Sequence, residues 1–142
     1  MPISSADKTK AKRHVMKIVE PFLINNGFTK SSTTEYLIPL RDMEGRLLFQ
    51  VPTFAPFYRL SLSIEHPSQS PILGPNSDSY AAPNSPNGIR YNFRFHLSPD
   101  TYERCASNIT QWITDVAIPW FHNPRSRTSQ RTQQLSARVV DK

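Results

Sequence analysis

Four histidines (His14, His66, His96 and His122) and one cysteine (Cys105) are the side chains best suited to hold a metal or attack a substrate. Either task needs three or four groups to converge on one point. The spacing here works against that. His66 and His96 end successive predicted strands. If those strands pair antiparallel, their ends lie at opposite edges, roughly 25–30 Å apart. His96 and His122 bracket a predicted helix with roughly 35 Å of rise between them. Cys105 falls on an apolar helical stripe beside Tyr102 and Ile109, where a thiol behaves as a small hydrophobe. A lone cysteine also excludes an internal disulfide and any multi-cysteine zinc site. The stretch Ser98–Pro99–Asp100 could offer free helix N–H groups to an anion, but Ser98 is expected to cap them itself. No glycine-rich phosphate loop, nucleophile elbow or paired-carboxylate pattern occurs. The expectation is a protein that is not an enzyme and uses neither metal nor cofactor.

What remains is chemistry of binding. In "GIRYNFRFH", residues 88–96, Ile89, Tyr91, Phe93 and Phe95 alternate with Arg90, Asn92, Arg94 and His96. Period-two alternation puts the aromatics on one face of a strand and the polar groups on the other. If this strand neighbours "FYRLSLSIEH", residues 57–66, then Arg59, Ser61 and Glu65 share the polar face with Arg90, Asn92, Arg94 and His96. The plain reading is a solvated face with cross-strand ion pairs. The functional reading is a docking surface for an acidic protein partner. RNA-binding sheets display aromatics for stacking on bases, and here the aromatics face the other way. In "FAPFY", residues 54–58, three aromatics surround a proline turn that is expected to tuck onto the core.

The net charge of +6 is carried by the ends of the chain. Residues 1–17 hold Lys8, Lys10, Lys12, Arg13 and Lys17 against Asp7, a net +4. Residues 123–142 hold Arg125, Arg127, Arg131, Arg138 and Lys142 against Asp141, again +4. The body between them is mildly acidic. Lys8, Lys10, Lys12, Arg13, Arg125, Arg127, Arg131 and Arg138 are therefore the candidate contacts for nucleic-acid phosphates.

These groups need elements to position them. Ala11, Val15, Ile18, Val19, Phe22 and Leu23 recur at helical spacing, so Asp7–Asn26 is read as a helix. Ser4, Ser5 or Asp7 could cap it, Gly27 should close it, and Pro21 should bend it or end its regular part. Strands follow at "TTEYLIPLR", "RLLFQVPTF" and 57–66, with a turn at "DMEG". Residues 67–88, rich in Pro, Ser and Asn, read as a long loop. The strand 88–96 comes next. A second helix starts at Ser98 and carries Tyr102, Cys105, Ala106, Ile109, Trp112, Ile113, Val116 and Ala117 on one stripe. Pro119 closes or kinks it, and Trp120 and Phe121 anchor its end. The expected fold is an α+β two-layer sandwich of order α-β-β-β-β-α: a four-stranded antiparallel sheet with two helices on one face. Residues 1–122 form the single domain, and 123–142 are expected to be a disordered basic tail.

Three landmarks, "KIVEPFLINNGFTK", "FYRLSLSIEH" and "AIPWF", resemble a bacterial family of small helix–sheet–helix proteins known only as a domain of unknown function. Gly27, Phe28 and Lys30 match that family's Gly–Phe pair and basic residue, and Pro119 and Trp120 match its final Pro–Trp step. The resemblance covers roughly residues 8–122. It implies the fold and carries no catalytic residue. No apolar run could span a membrane, and the N-terminus lacks a signal-peptide core. The reading is a small cytoplasmic, non-enzymatic protein that binds a protein partner, in an immunity or inhibitor-like role. The alternative is a nucleic-acid-associated protein that grips phosphates through its basic termini.

Overall fold

The computed structural model describes residues 4–53, 55–77 and 91–124. Helix α1, Ser5–Asn25, is capped by Ser4, whose Oγ accepts the Asp7 N–H at 3.1 Å. Its buried residues, Ala11, Val15, Val19 and Leu23, recur every fourth position. Pro21 does not end it. The helix closes at Gly27, which adopts φ 92°, a conformation costly for any residue with a Cβ. The Phe28 N–H reaches the Leu23 carbonyl and the Gly27 N–H reaches Ile24, so a Schellman motif satisfies the last carbonyls. Leu23 and Phe28 are both buried beside it.

The sheet has five strands, not four. They are β1 (Thr29–Lys30), β2 (Glu35–Leu40), β3 (Met43–Gln50), β4 (Arg59–His66) and β5 (Gln69–Asn76), paired antiparallel in chain order. The fifth lies inside the predicted long loop. Its sequence, QSPILGPN, lacks alternation and holds two prolines, which argue against an inner strand. An edge strand tolerates proline because one side of its backbone needs no ladder bond. Two register shifts along β4–β5 absorb the irregular sequence.

Residues 91–96 are not a strand of this sheet. They meet it through one bridge, Phe57 to Arg94, with the Tyr58 N–H donating to the Phe93 carbonyl and the Phe95 N–H to Pro56. The alternation read from the sequence is real: Phe93 and Phe95 are buried, while Asn92, Arg94 and His96 are exposed. A ladder is lacking on the far side because side chains occupy that edge. The N–H groups of Asn92, Arg94 and His96 donate to Asn108 Oδ1, Asn92 Oδ1 and Thr101 Oγ1. Arg104 takes the Arg94 carbonyl at 2.9 Å.

Helix α2, Pro99–Trp112, runs into a π-helical turn, Ile113–Ala117, and then α3, Ile118–His122. Pro119 explains the wide turn. A regular helix would press its ring against the Asp115 carbonyl, and inserting one residue relieves that clash. Ser98 sits at the N-cap, but its hydroxyl makes no capping bond, contrary to expectation. The Thr101 hydroxyl bonds the Ser98 carbonyl instead. The helices and the inward side chains of the sheet, among them Tyr36, Leu47, Phe49, Leu60 and Ile64, share one core. Two glycines let the final helix approach closely. A Cβ at Gly45 would stand 2.7 Å from the Phe121 ring, and one at Gly74 would stand 2.7 Å from the Trp120 ring.

Candidate anion-binding groove

The sheet ends unevenly. Strand β2 pairs with β3 as far as Glu35 and Leu48, while β3 continues to Gln50. Helix α1 passes over that exposed end and leaves a groove of about 830 Å³. One stripe of α1 forms its first wall: Thr9, Lys12, Arg13, Met16, Lys17 and Glu20. These recur at i, i+3 and i+4, beside the buried stripe of the same helix. The opposite wall is Lys30, Thr33, Thr34, Gln50 and Val51, and Phe49 and Tyr58 lie at the floor.

Four cations line the groove against one carboxylate. That carboxylate, Glu20, is already engaged. Lys30 Nζ lies 3.4 Å from its Oε1, and the Tyr36 hydroxyl donates to the same oxygen. The Tyr36 bond, helped by Lys30, holds the Glu20 carboxyl below the usual range despite partial burial. Burial, with Glu20 beside it, pushes the Tyr36 hydroxyl up in turn. Among the described residues Lys12, Arg13 and Lys17 form no ion pair. Lys12, Arg13 and Lys17 span less than two helical turns: Lys12 and Arg13 are about 1.5 Å apart along the axis, and Lys17 lies about 6 Å beyond Arg13. The aromatic rings at the floor, Phe49 and Tyr58, are buried and offer no face for stacking. The groove can therefore hold an anionic chain by charge and hydroxyl, without reading bases.

The candidate residues fall into three groups. Lys12 and Arg13 line the groove, joined by Lys17, Lys30, Thr33, Thr34 and Gln50, which sequence reasoning did not single out. The signal for Lys17 was present in its helical spacing from Lys12 and Arg13. Thr33, Thr34 and Gln50 gave none, because the early end of β2 is a tertiary fact. Lys8 bonds the Pro52 and Thr53 carbonyls at 3.2 and 3.3 Å, and Lys10 is exposed outside the groove. Arg90, Arg125, Arg127, Arg131 and Arg138 lie outside the described residues.

The polar face expected from strands 57–66 and 88–96 is not assembled as one patch. Arg59 and Arg94 share one neighbour, with their guanidiniums 5.6 and 5.5 Å from the centre of the Phe57 ring. Glu65 stands at the other end of β4, opposite Glu44. Asn92 is spent on the backbone of Arg94, and the His96 side chain is exposed next to the start of α2. Of "FAPFY", Tyr58 is buried, Phe57 is half-buried under the two arginines, and Phe54 lies outside the described residues.

The remaining chemistry is structural. Cys105 is fully buried, its Sγ bonds the Phe93 carbonyl at 3.2 Å, and burial pushes its thiol up to about 12. His14 stacks on Tyr102. Among the described residues, no three histidine, cysteine or carboxylate side chains are grouped to hold a metal ion, and no helix is long and apolar enough to cross a membrane. The chain matches no protein-family model, no curated protein and no solved structure, so its resemblance to the bacterial helix–sheet–helix family rests on the three landmarks alone.

Proposed function

We propose that this is a non-enzymatic binding protein whose groove receives a phosphate chain, with single-stranded nucleic acid as the ligand class. The observation that supports it is the charge of the groove. Lys12, Arg13 and Lys17 point cations along one helical stripe, and the only carboxylate among the lining residues is neutralised by Lys30. Such a cluster concentrates positive charge where a phosphate chain would lie and releases counterions on binding. The threonines on the far wall supply neutral hydroxyl donors to phosphate oxygens. The rings at the floor are buried, which favours binding without sequence preference. The protein-partner reading, immunity or inhibitor-like, keeps no such assembled site, because Glu65 and Arg59 stand at opposite ends of β4.

The test is fluorescence anisotropy with a labelled oligothymidylate of about 15 nucleotides. The full chain is compared with a Lys12→Glu/Arg13→Glu/Lys17→Glu variant. The proposal expects binding at low salt and a loss of at least about a hundredfold in the variant. Equal affinity in the two proteins would refute it. Binding of polyglutamate in preference to the oligonucleotide would replace the ligand class with an acidic peptide.

A further inference from the structure

One carboxylate stands in the otherwise cationic groove, and its two oxygens are unequal. Both partners of Glu20 lie on Oε1: the Tyr36 hydroxyl donates to it, and Lys30 Nζ stands 3.4 Å away. Among the described residues Oε2 accepts no hydrogen bond and forms no ion pair, and it keeps contact with solvent. The side chain is 38% exposed, so a ligand in the groove can reach that oxygen. Glu20 lies one turn beyond Lys17 on the lining stripe of α1, about 4.5 Å further along the axis. A chain whose phosphates lie on Lys12, Arg13 and Lys17 meets this carboxylate next. A phosphate does not settle there, because like charges would face each other. The Tyr36 bond keeps the carboxyl ionised at neutral pH, so Oε2 accepts a hydrogen bond and donates none. The ligand group that fits is therefore a neutral donor. Bases are not drawn in, since Phe49 and Tyr58 are buried and give no stacking platform. The donor that stays with the backbone is a sugar hydroxyl, which RNA carries on every residue and DNA lacks at its internal ones.

We propose that Glu20 selects RNA over DNA, its Oε2 accepting a hydrogen bond from a ribose 2′-hydroxyl while Lys12, Arg13 and Lys17 hold the adjoining phosphates. The inference rests on the reading of the groove as a site for a single-stranded phosphate chain. Glu20 then has two tasks. Through Oε1 it holds Tyr36 and Lys30 in place, and through Oε2 it reads the sugar. The same charge works against a backbone that has no hydroxyl to offer, because the carboxylate loses water there and gains no bond. Selection by the sugar needs no contact with a base, so it is compatible with binding that has no sequence preference.

Fluorescence anisotropy of the full chain tests it, with labelled oligouridylate and its 2′-deoxy and 2′-O-methyl counterparts, each of about 15 nucleotides. The three probes carry equal charge, so comparison at one salt concentration isolates the sugar. The wild-type chain should bind the ribose probe about tenfold more tightly than the deoxy probe, as a hydrogen bond to a charged acceptor would give. The 2′-O-methyl probe cannot donate and should behave like the deoxy one. In Glu20→Ala, with circular dichroism matching the wild type, the preference for ribose should disappear while the deoxy probe still binds. The wild-type comparison decides even where the variant is unstable. Equal affinity for ribose and deoxy probes in the wild type would overturn the proposal. So would tight binding of the 2′-O-methyl probe, or a preference that Glu20→Ala leaves unchanged. Those results leave the groove reading standing where Lys12→Glu/Arg13→Glu/Lys17→Glu still abolishes binding of the deoxy probe. Binding of none of the three probes would refute the groove reading and this inference with it.

Discussion

Gly74 lies against Trp120, and replacing it with alanine should destabilise the protein for a reason confined to one ring. The added Cβ would stand 2.7 Å from Cη2 and Cζ2 of Trp120 and 2.9 Å from Cε2. The indole is fully buried, and its benzo ring cannot swing aside as a flexible tail would. Overpacking of this kind costs about 1–3 kcal/mol. Strand propensity pushes the other way, since glycine inside a strand is about 0.5–1 kcal/mol worse than alanine. The clash should win, with a net loss of about 1–2 kcal/mol. Trp120→Phe provides the control. It removes the benzo carbons that the Cβ would strike, and in that background Gly74→Ala should cost nothing or stabilise the protein. Urea denaturation of the four chains gives the coupling directly. If Gly74→Ala is stabilising in the wild type, or costs the same in both backgrounds, the packing of the last helical turn under β5 is wrong.

Three further outcomes follow from the core and from Glu20. Trp112 is fully buried and meets Phe93 edge-on, so Trp112→Ala should cost about 3–5 kcal/mol in the same assay. A loss below about 1 kcal/mol would show that the helical stripe is misplaced. Cys105 should resist iodoacetamide in the native state at pH 8 and react only on unfolding, because its thiol is buried and pushed up to about 12. Rapid native labelling would contradict that. The folded Glu20 carboxyl lies below its unfolded value, so its contribution to stability is present at neutral pH. That contribution is lost as pH falls through the folded value. Tyr36→Phe should flatten that part of the stability profile, and an unchanged acid limb would separate Glu20 from Tyr36.

Much of this fold was legible because local rules and tertiary packing agreed. The four-residue spacing of Ala11, Val15, Val19 and Leu23, closed by Gly27, specifies α1 from the chain alone. Leu60, Leu62 and Ile64 likewise place one face of β4 in the core. The errors fell where local signal and pairing part company. The alternation of Tyr91 to His96 is a true statement about faces, but faces do not form ladders. Asn108, Thr101 and Arg104 had already taken the edge that a further strand would need. β5 was hidden because an edge strand can be built from PILGP as well as from valines. The groove was half legible. Its helical wall is a charge pattern at known spacing, whereas Lys30, Thr33, Thr34 and Gln50 come together only because β2 ends before β3 does.

The salt dependence of oligonucleotide binding tests the central claim most directly. For single strands the slope of log affinity against log salt is about −0.7 per phosphate neutralised. The full chain is compared with a Lys12→Gln/Arg13→Gln/Lys17→Gln variant, which removes three charges from the groove and reverses none. If those cations grip phosphates, the slope should become shallower by about 2 in the variant. Parallel lines for the two proteins would mean that binding lies elsewhere on the chain and that the groove is not the site.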